Sequence, residues 1–270
     1  MACKGAKHAE AAAKATQTAV VQKEVKTAEE QTAVSRLLFG VDSGIRADDI
    51  LQNNISIFEW IVRNKVYPNF FGRNIAGENA LTKEEIDFIH SKGCKIAAIY
   101  KDSGEKKTEE QGKITAKEID VIAFELGIPE GTAIFIEAAE GEELSSEFMK
   151  GFAAVLLEEG FVPGFKADTD AKFGFDREFS RGLQTDREIL EKCLVWATAP
   201  SLKEYDRVTT THLIHPDNWM PYAPSGITRG DIAVWQYGAN CHPINDDAGV
   251  ETTFNVNLVR DEKVIIERMF

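Results

Sequence analysis

From Leu37 onward, short apolar runs alternate with segments whose apolar residues recur every three or four positions. The runs are Leu37–Val41, a stretch within Tyr67–Ile75, Lys95–Tyr100, Ala133–Ile136, Val162–Ala167, Leu194–Ala197, Ile232–Tyr237 and Thr252–Val259. Their length and β-branched or aromatic content suit buried strands. Between the first two, residues 48–64 carry Ile50, Leu51, Ile57, Phe58, Ile61 and Val62 on one helical face. Thr82 and Glu85 spell a capping box, Leu81 and Ile86 its hydrophobic staple, and Gly93 the stop. Thr115 with Glu118, and Ile114 with Ile119, repeat that signal up to Gly127 and Pro129. A further helix is expected near 145–158, ending at Gly160, and a short one capped by Thr185 and Glu188. Residues 200–230 are long and irregular for such a connection. Strand–helix alternation predicts a parallel sheet, and eight strands favour closure into a (β/α)8 TIM-type barrel over an open α/β sheet.

Residues 1–35 depart from this pattern. Glu10-Ala11-Ala12-Ala13-Lys14 is a helix-forming repeat, and Val20, Val21, Val25, Ala28 and Val34 add a thin apolar stripe. A helical arm is predicted there, with the barrel at 36–270. The arm is either a solvated helix or a tether that joins the barrel to an oligomer or larger assembly.

Composition narrows the function classes. The chain has 270 residues, which one α/β barrel of roughly 250 residues accommodates as a single domain. Acidic residues outnumber basic ones, 44 to 31, for a formal charge of −13. That balance argues against nucleic acid, whose phosphates need a basic face. No run nears the roughly 18 apolar residues of a membrane span, so a soluble protein is expected. Lys4 and Lys7 are followed by no apolar core of a secretory signal. Location therefore stays open between the cytoplasm and export by a route the sequence does not display. Cys3, Cys94, Cys193 and Cys241 lie far apart and form no CxxC. His212, His215, Cys241 and His242 have no acidic ligand at a recognised spacing, and loop or capping roles are preferred for them. No metal or cofactor is predicted, and nucleotide, serine-hydrolase and zinc-protease motifs are absent.

In such barrels chemistry sits at the C-terminal strand ends. The candidates there are Asp42, Arg73, Tyr100, Glu137, Lys166, Asp168, Asp170, Trp196, Trp235, Gln236, Asn255 and Asn257. Aromatic faces stack on pyranose rings, amides bond hydroxyls, and paired carboxylates can serve as acid, base or nucleophile. Trp219 and Tyr222, in the irregular segment, either rim a ligand or pack beneath that loop.

Six stretches, in order, resemble one family: Gly40-Val41-Asp42, FFGRNI at 70–75, LTKEEI at 81–86, GIPEGTAIFI at 127–136, AVWQY at 233–237 and FNVNL at 254–258. It is the bacterial glycoside-hydrolase-like domain family related to the family 25 lysozymes, and the resemblance runs over roughly residues 37–260. It implies a (β/α)8-type barrel and a glycan or cell-wall polymer as partner. Its enzymatic relatives cut peptidoglycan as muramidases. Asp42 matches the aspartate of the first strand. On the fourth strand the lysozymes carry Asp-x-Glu; Glu137 takes the Asp position and Ala139 that of the proton-donating Glu, with Glu140 beside it. On the eighth strand Asn255 stands where the family has an aspartate. The implied set is Asp42 and Glu137 as the acidic pair, with Arg73, Tyr100, Asp168, Trp196, Trp235, Gln236 and Asn255 lining the cleft. Two expectations follow: a glycosidase working with a reduced carboxylate set, or a non-catalytic barrel that binds carbohydrate or protein.

Overall fold

The computed structural model describes residues 37–51, 54–63, 67–101, 104–137, 143–203, 207–208, 216–243 and 252–270. The expected arm at 1–35, Ala139, Glu140, His212 and His215 lie outside these residues. The described part belongs to the compact unit Leu37–Phe270.

Six strands follow one another in parallel: β1 (Leu38–Ser43), β2 (Phe70–Asn74), β3 (Lys95–Lys101), β4 (Ala133–Glu137), β5 (Val162–Ala167) and β6 (Leu194–Ala197). β7 (Ile232–Pro243) pairs parallel to β6, and β8 (Phe254–Val259) closes the ring against both β7 and β1. The result is a closed eight-stranded barrel of the TIM type, with seven helices among the described residues. One strand departs from the all-parallel expectation, for β8 runs antiparallel to both its neighbours. The ten or so residues between β7 and β8 are fewer than the dozen or more that a parallel crossover requires. The chain therefore returns as a hairpin-like pair. That reversal places the start of β8, with Asn255, opposite the end of β1, with Asp42.

The helices are α1 (Ile57–Arg63), α2 (Lys83–Ser91), α3 (Glu109–Leu126), α4 (Ser146–Glu158), α5 (Gly174–Thr185), α6 (Arg187–Leu190) and α7 (Glu262–Arg268). Among the described residues, none is long and apolar enough to cross a membrane. Three boundaries differ from expectation. α1 begins at Ile57, not near 48, because Ile50 and Ser56 bridge as an antiparallel pair ahead of it. α3 begins at Glu109, capped by Thr108 in a reciprocal box with Gln111, whereas Thr115 is buried within the helix. α5 was hidden by Gly174, Gly182 and its charged residues; Phe175, Phe179 and Leu183 form its buried stripe against Phe165. Thr185 ends that helix, and Asp186 stands at the head of α6.

The α3–α4 contact depends on two glycines. A Cβ at Gly112 would overlap the Phe148 carbonyl, and one at Gly151 the Glu109 carbonyl. Only hydrogen at both positions lets the two backbones meet.

Strand parity divides the core in two. Phe70, Ala97, Ile99, Ala133, Phe135, Trp196, Val234 and Val259 fill the barrel interior. Phe71, Ile96, Ala98, Tyr100, Ile134, Ile136, Phe165 and Trp235 face the helices. Because successive strand residues point to opposite faces, each tip residue inherits its direction from this division.

Candidate functional site at the barrel mouth

Asp42, Glu137, Lys166, Trp196, Gln236, Asn255 and Asn257 share the interior parity, as does Lys101 at the end of β3. Asp42 is the centre of the cluster and is 5% exposed. Its Oδ1 accepts from Asn257 Nδ2 at 2.7 Å. Its Oδ2 accepts from Lys166 Nζ at 2.7 Å and from Asn255 Nδ2 at 2.8 Å. Lys166 Nζ also lies 3.3 Å from Glu137 Oε2, while Lys101 Nζ donates to Glu137 Oε1 at 3.1 Å. Beneath them Trp196 Nε1 donates to Asn257 Oδ1 at 3.0 Å, and Lys166 Nζ sits 4.9 Å from the Trp196 ring centroid. One network thus joins Trp196, Asn257, Asp42, Lys166, Glu137 and Lys101 across six strands.

Gly72 makes room for it. A Cβ there would come within 2.6 Å of Asp42 Cβ and 3.1 Å of the Trp196 ring. Asn255 completes the frame by accepting from the Asn240 backbone N–H at 2.9 Å while its amide donates to Asp42. An aspartate at 255 would present oxygen to oxygen, which explains the amide in chemical terms.

Two lysines balance the two carboxylates. Burial by itself draws the Lys166 pKa down. The charge of Asp42, then that of Glu137 and the bonds to both, outweighs it and holds Lys166 above the usual lysine value. Lys166 is therefore a fixed cation 2% exposed, and its bond to Asp42 is a buried, charge-assisted one. Glu137 is more open, with 22% of its side chain exposed.

Of the other sequence candidates, Arg73, Tyr100, Trp235 and Asp168 lie elsewhere. Arg73 has the outward parity and is fully buried. Its guanidinium donates to Glu85 Oε1 at 2.6 Å and Oε2 at 3.2 Å, and to the carbonyls of Ser43 and Asn79 at 2.6 Å each. It ties β1 and β2 to α2 and does not line the cleft. Thr82 caps α2 as expected, accepting from the Glu85 N–H at 3.3 Å, but the Glu85 carboxylate serves Arg73 and the Ala47 N–H and does not close the box. Tyr100 also points outward, and its hydroxyl donates to Glu118 on α3 at 3.2 Å. Trp235 faces the helix side, donating to the Pro200 carbonyl at 3.1 Å and packing edge-on against Trp219. Asp168 lies exposed on the rim, accepting from the Asp170 N–H. Trp196 is interior but fully buried, so it supports Lys166 and offers no sugar-stacking face. Gln236 is 7% exposed, and its Oε1 has no hydrogen-bond partner among the described residues.

Lys166 stands among the strand-end candidates without an assigned role, and Lys101 is not among them. The signal was present, since Lys166 alternates in phase with Val162 and Gly164 on β5. An ammonium inside a barrel was not expected without a known acidic partner at the same height.

The sequence model of the family described as Rv2525c-like, glycoside hydrolase-like domain matches residues 67–255. No curated protein matches the chain. Among solved structures, an uncharacterized protein of B. stearothermophilus superposes with a TM-score of 0.69 at 22% identity, over 86% of this chain and 100% of that one. The modular autolysin LytC of Streptococcus pneumoniae, in complex with a synthetic peptidoglycan ligand, gives 0.45 at 10% identity, over 83% and 46%. The catalytic domain of endolysin ply40 from bacteriophage P40 of Listeria monocytogenes gives 0.47 at 13%, over 86% and 96%.

Proposed function

The chain belongs to the family of Rv2525c-like, glycoside hydrolase-like domains, and from that premise we propose that its barrel mouth binds a cell-wall, peptidoglycan-type glycan without cleaving it. The observation that carries this reading is the Lys166 ammonium, 2.7 Å from Asp42 and 3.3 Å from Glu137. Glycoside cleavage needs one carboxyl to protonate the leaving oxygen and another, with a free lone pair, to attack or to activate water. Asp42 spends its oxygens on Lys166, Asn255 and Asn257. Glu137 is held between two ammonium groups. Asn255 cannot ionise to replace either. Recognition asks less of the same groups: fixed, directed donors and acceptors around a hollow. Glu137, Lys101, Asn255 and Gln236 Oε1, which has no partner among the described residues, supply them for sugar hydroxyls, with Asp168 at the rim.

A second reading, glycoside hydrolysis with Glu137 as the proton donor, draws on the partial exposure of that carboxylate. The two separate in one experiment on purified peptidoglycan fragments. Retention of fragments by the immobilised protein is measured together with release of new reducing ends, for wild type, Glu137→Gln and Gln236→Ala. Binding without release, weakened about tenfold by Gln236→Ala, is expected; tenfold corresponds to roughly 1.4 kcal/mol. Release above the Glu137→Gln level would instead establish the hydrolase, and absence of both binding and release would remove the glycan reading.

A further inference from the structure

A hollow of about 610 Å³ opens between the loop joining β5 to α5 and the stretch leading into β7. Its wall includes Thr169, Asp170, Lys172, Tyr222, Ile227 and Arg229, and none of the mouth network's residues. We propose that this hollow binds a carboxylate-bearing sugar, independently of the barrel mouth.

Its volume falls in the range typical of small-ligand sites. Tyr222 is 40% exposed there, leaving ring surface for a pyranose to cover. The charge is unusual for this molecule. In a chain of formal charge −13, the wall carries two cations against one carboxylate. Lys172 reaches Asp170 at 3.6 Å. The Arg229 guanidinium is exposed and makes no ion pair or side-chain hydrogen bond with the described residues. A planar guanidinium suits a carboxylate, which it can bind through two parallel bonds.

Thr169 adds an independent sign. It is 1% exposed, borders the hollow, and its Oγ1 has no hydrogen-bond partner among the described residues. Buried hydroxyls are nearly always partnered, and a ligand hydroxyl entering beside it supplies the missing bond. A compact inorganic anion would engage Arg229 and leave both Tyr222 and Thr169 unused.

Hydrogen bonds within the chain hold the walls in place. Trp219 Nε1 donates to the Arg229 carbonyl at 2.7 Å, the Ser225 N–H to Asp176 Oδ1 at 2.6 Å, and the Tyr222 N–H to the Ala199 carbonyl at 2.9 Å. Opposite them, the N–H groups of Asp170 and Lys172 donate to the carboxylates of Asp168 and Asp170. A preformed site loses less conformational freedom when it binds.

The test is calorimetric titration of the full chain with glucuronic acid, with glucose as its neutral counterpart and with inorganic phosphate. Glucuronate is expected to bind about tenfold more tightly than glucose, a step of roughly 1.4 kcal/mol. Arg229→Gln removes that preference, Tyr222→Ala weakens both sugars, and Gln236→Ala at the mouth leaves glucuronate unaffected. Because Arg229 is exposed, its replacement does not threaten the fold, and an unchanged thermal melt verifies that. Equal affinity for the two sugars, glucuronate binding indifferent to Arg229→Gln, or phosphate bound as tightly as glucuronate would overturn the proposal. Loss of glucuronate binding in Gln236→Ala would assign the ligand to the mouth and overturn it as well.

Discussion

Lys166 shows how much one side chain decides. Placed between Asp42 and Glu137, it turns, with Lys101, a pair of acids into a neutralised cluster whose members hold one another. The same bond that steadies Asp42 also makes it costly to disturb. Removing one partner of a buried pair leaves the other charge uncompensated, at a cost of about 3–5 kcal/mol. Lys166→Met and Asp42→Asn are each expected to destabilise by that order in urea unfolding. The double variant should cost clearly less than their sum, because neither charge is then stranded. Strictly additive losses would mean that the two groups do not act as a pair. Arg73 and Glu85 form a comparable buried unit, but outside the barrel wall, where they fasten β2 to α2. Both arginine and lysine stand near strand tips; only parity separates the architectural pair from the site.

Among the elements, α3 and α4 have the most exacting fit. Gly112 and Gly151 let each backbone touch the other's carbonyl, so a single methyl must push the helices apart. Gly112→Ala gains about 1 kcal/mol of helix propensity. Overpacking a close contact loses about 1–3 kcal/mol, so net destabilisation is expected in thermal or urea melts; a more stable variant would refute the close approach. Thr108→Ala removes a two-way cap and should cost about 1 kcal/mol, whereas Thr115, the cap that the sequence pattern predicts, has no capping role. That error has a clear origin. Thr-x-x-Glu occurs at 115–118 as readily as a true cap, and Thr108 with Gln111 is the pair whose backbone turns into the helix. α5 was missed for the opposite reason: its buried Phe175, Phe179 and Leu183 are spaced correctly, but two glycines and four charged residues mask the stripe.

At the scale of the whole molecule, charge sets the response to pH. Asp48, beside Arg46, and Asp231, bonded to Thr228, are held below the usual carboxylate range. Their stabilisation is present above the unfolded carboxylate value near about 4 and is lost as pH falls through their depressed values. Lys166, whose pKa is raised, contributes fully below the unfolded lysine value of about 10.4 and loses its contribution as pH rises through the folded one. A melting temperature that is flat between roughly pH 6 and 9 and falls on both sides is the expected profile. In Lys166→Met the alkaline fall should be shallower, and an unchanged alkaline limb would show that Lys166 does not carry it.

The amino-acid pattern alone determined the barrel. Eight short apolar runs separated by helical segments leave few other ways to bury both faces of every strand, and the order of the strands follows from the order of the runs. It also brought Asp42, Glu137, Gln236 and Asn255 to notice, because strand ends are readable wherever turn residues follow an apolar run. Tertiary structure decided the rest. Only closure of the ring, with β8 reversed, sets Asn255 and Asn257 against Asp42. Only the common barrel interior brings Lys166 to Asp42, 124 positions away in sequence. Parity within a strand is fixed by which face the neighbouring helices cover, and that is a property of packed layers. For this reason Arg73, Tyr100 and Trp235 turned away from a mouth to which their sequence positions had assigned them.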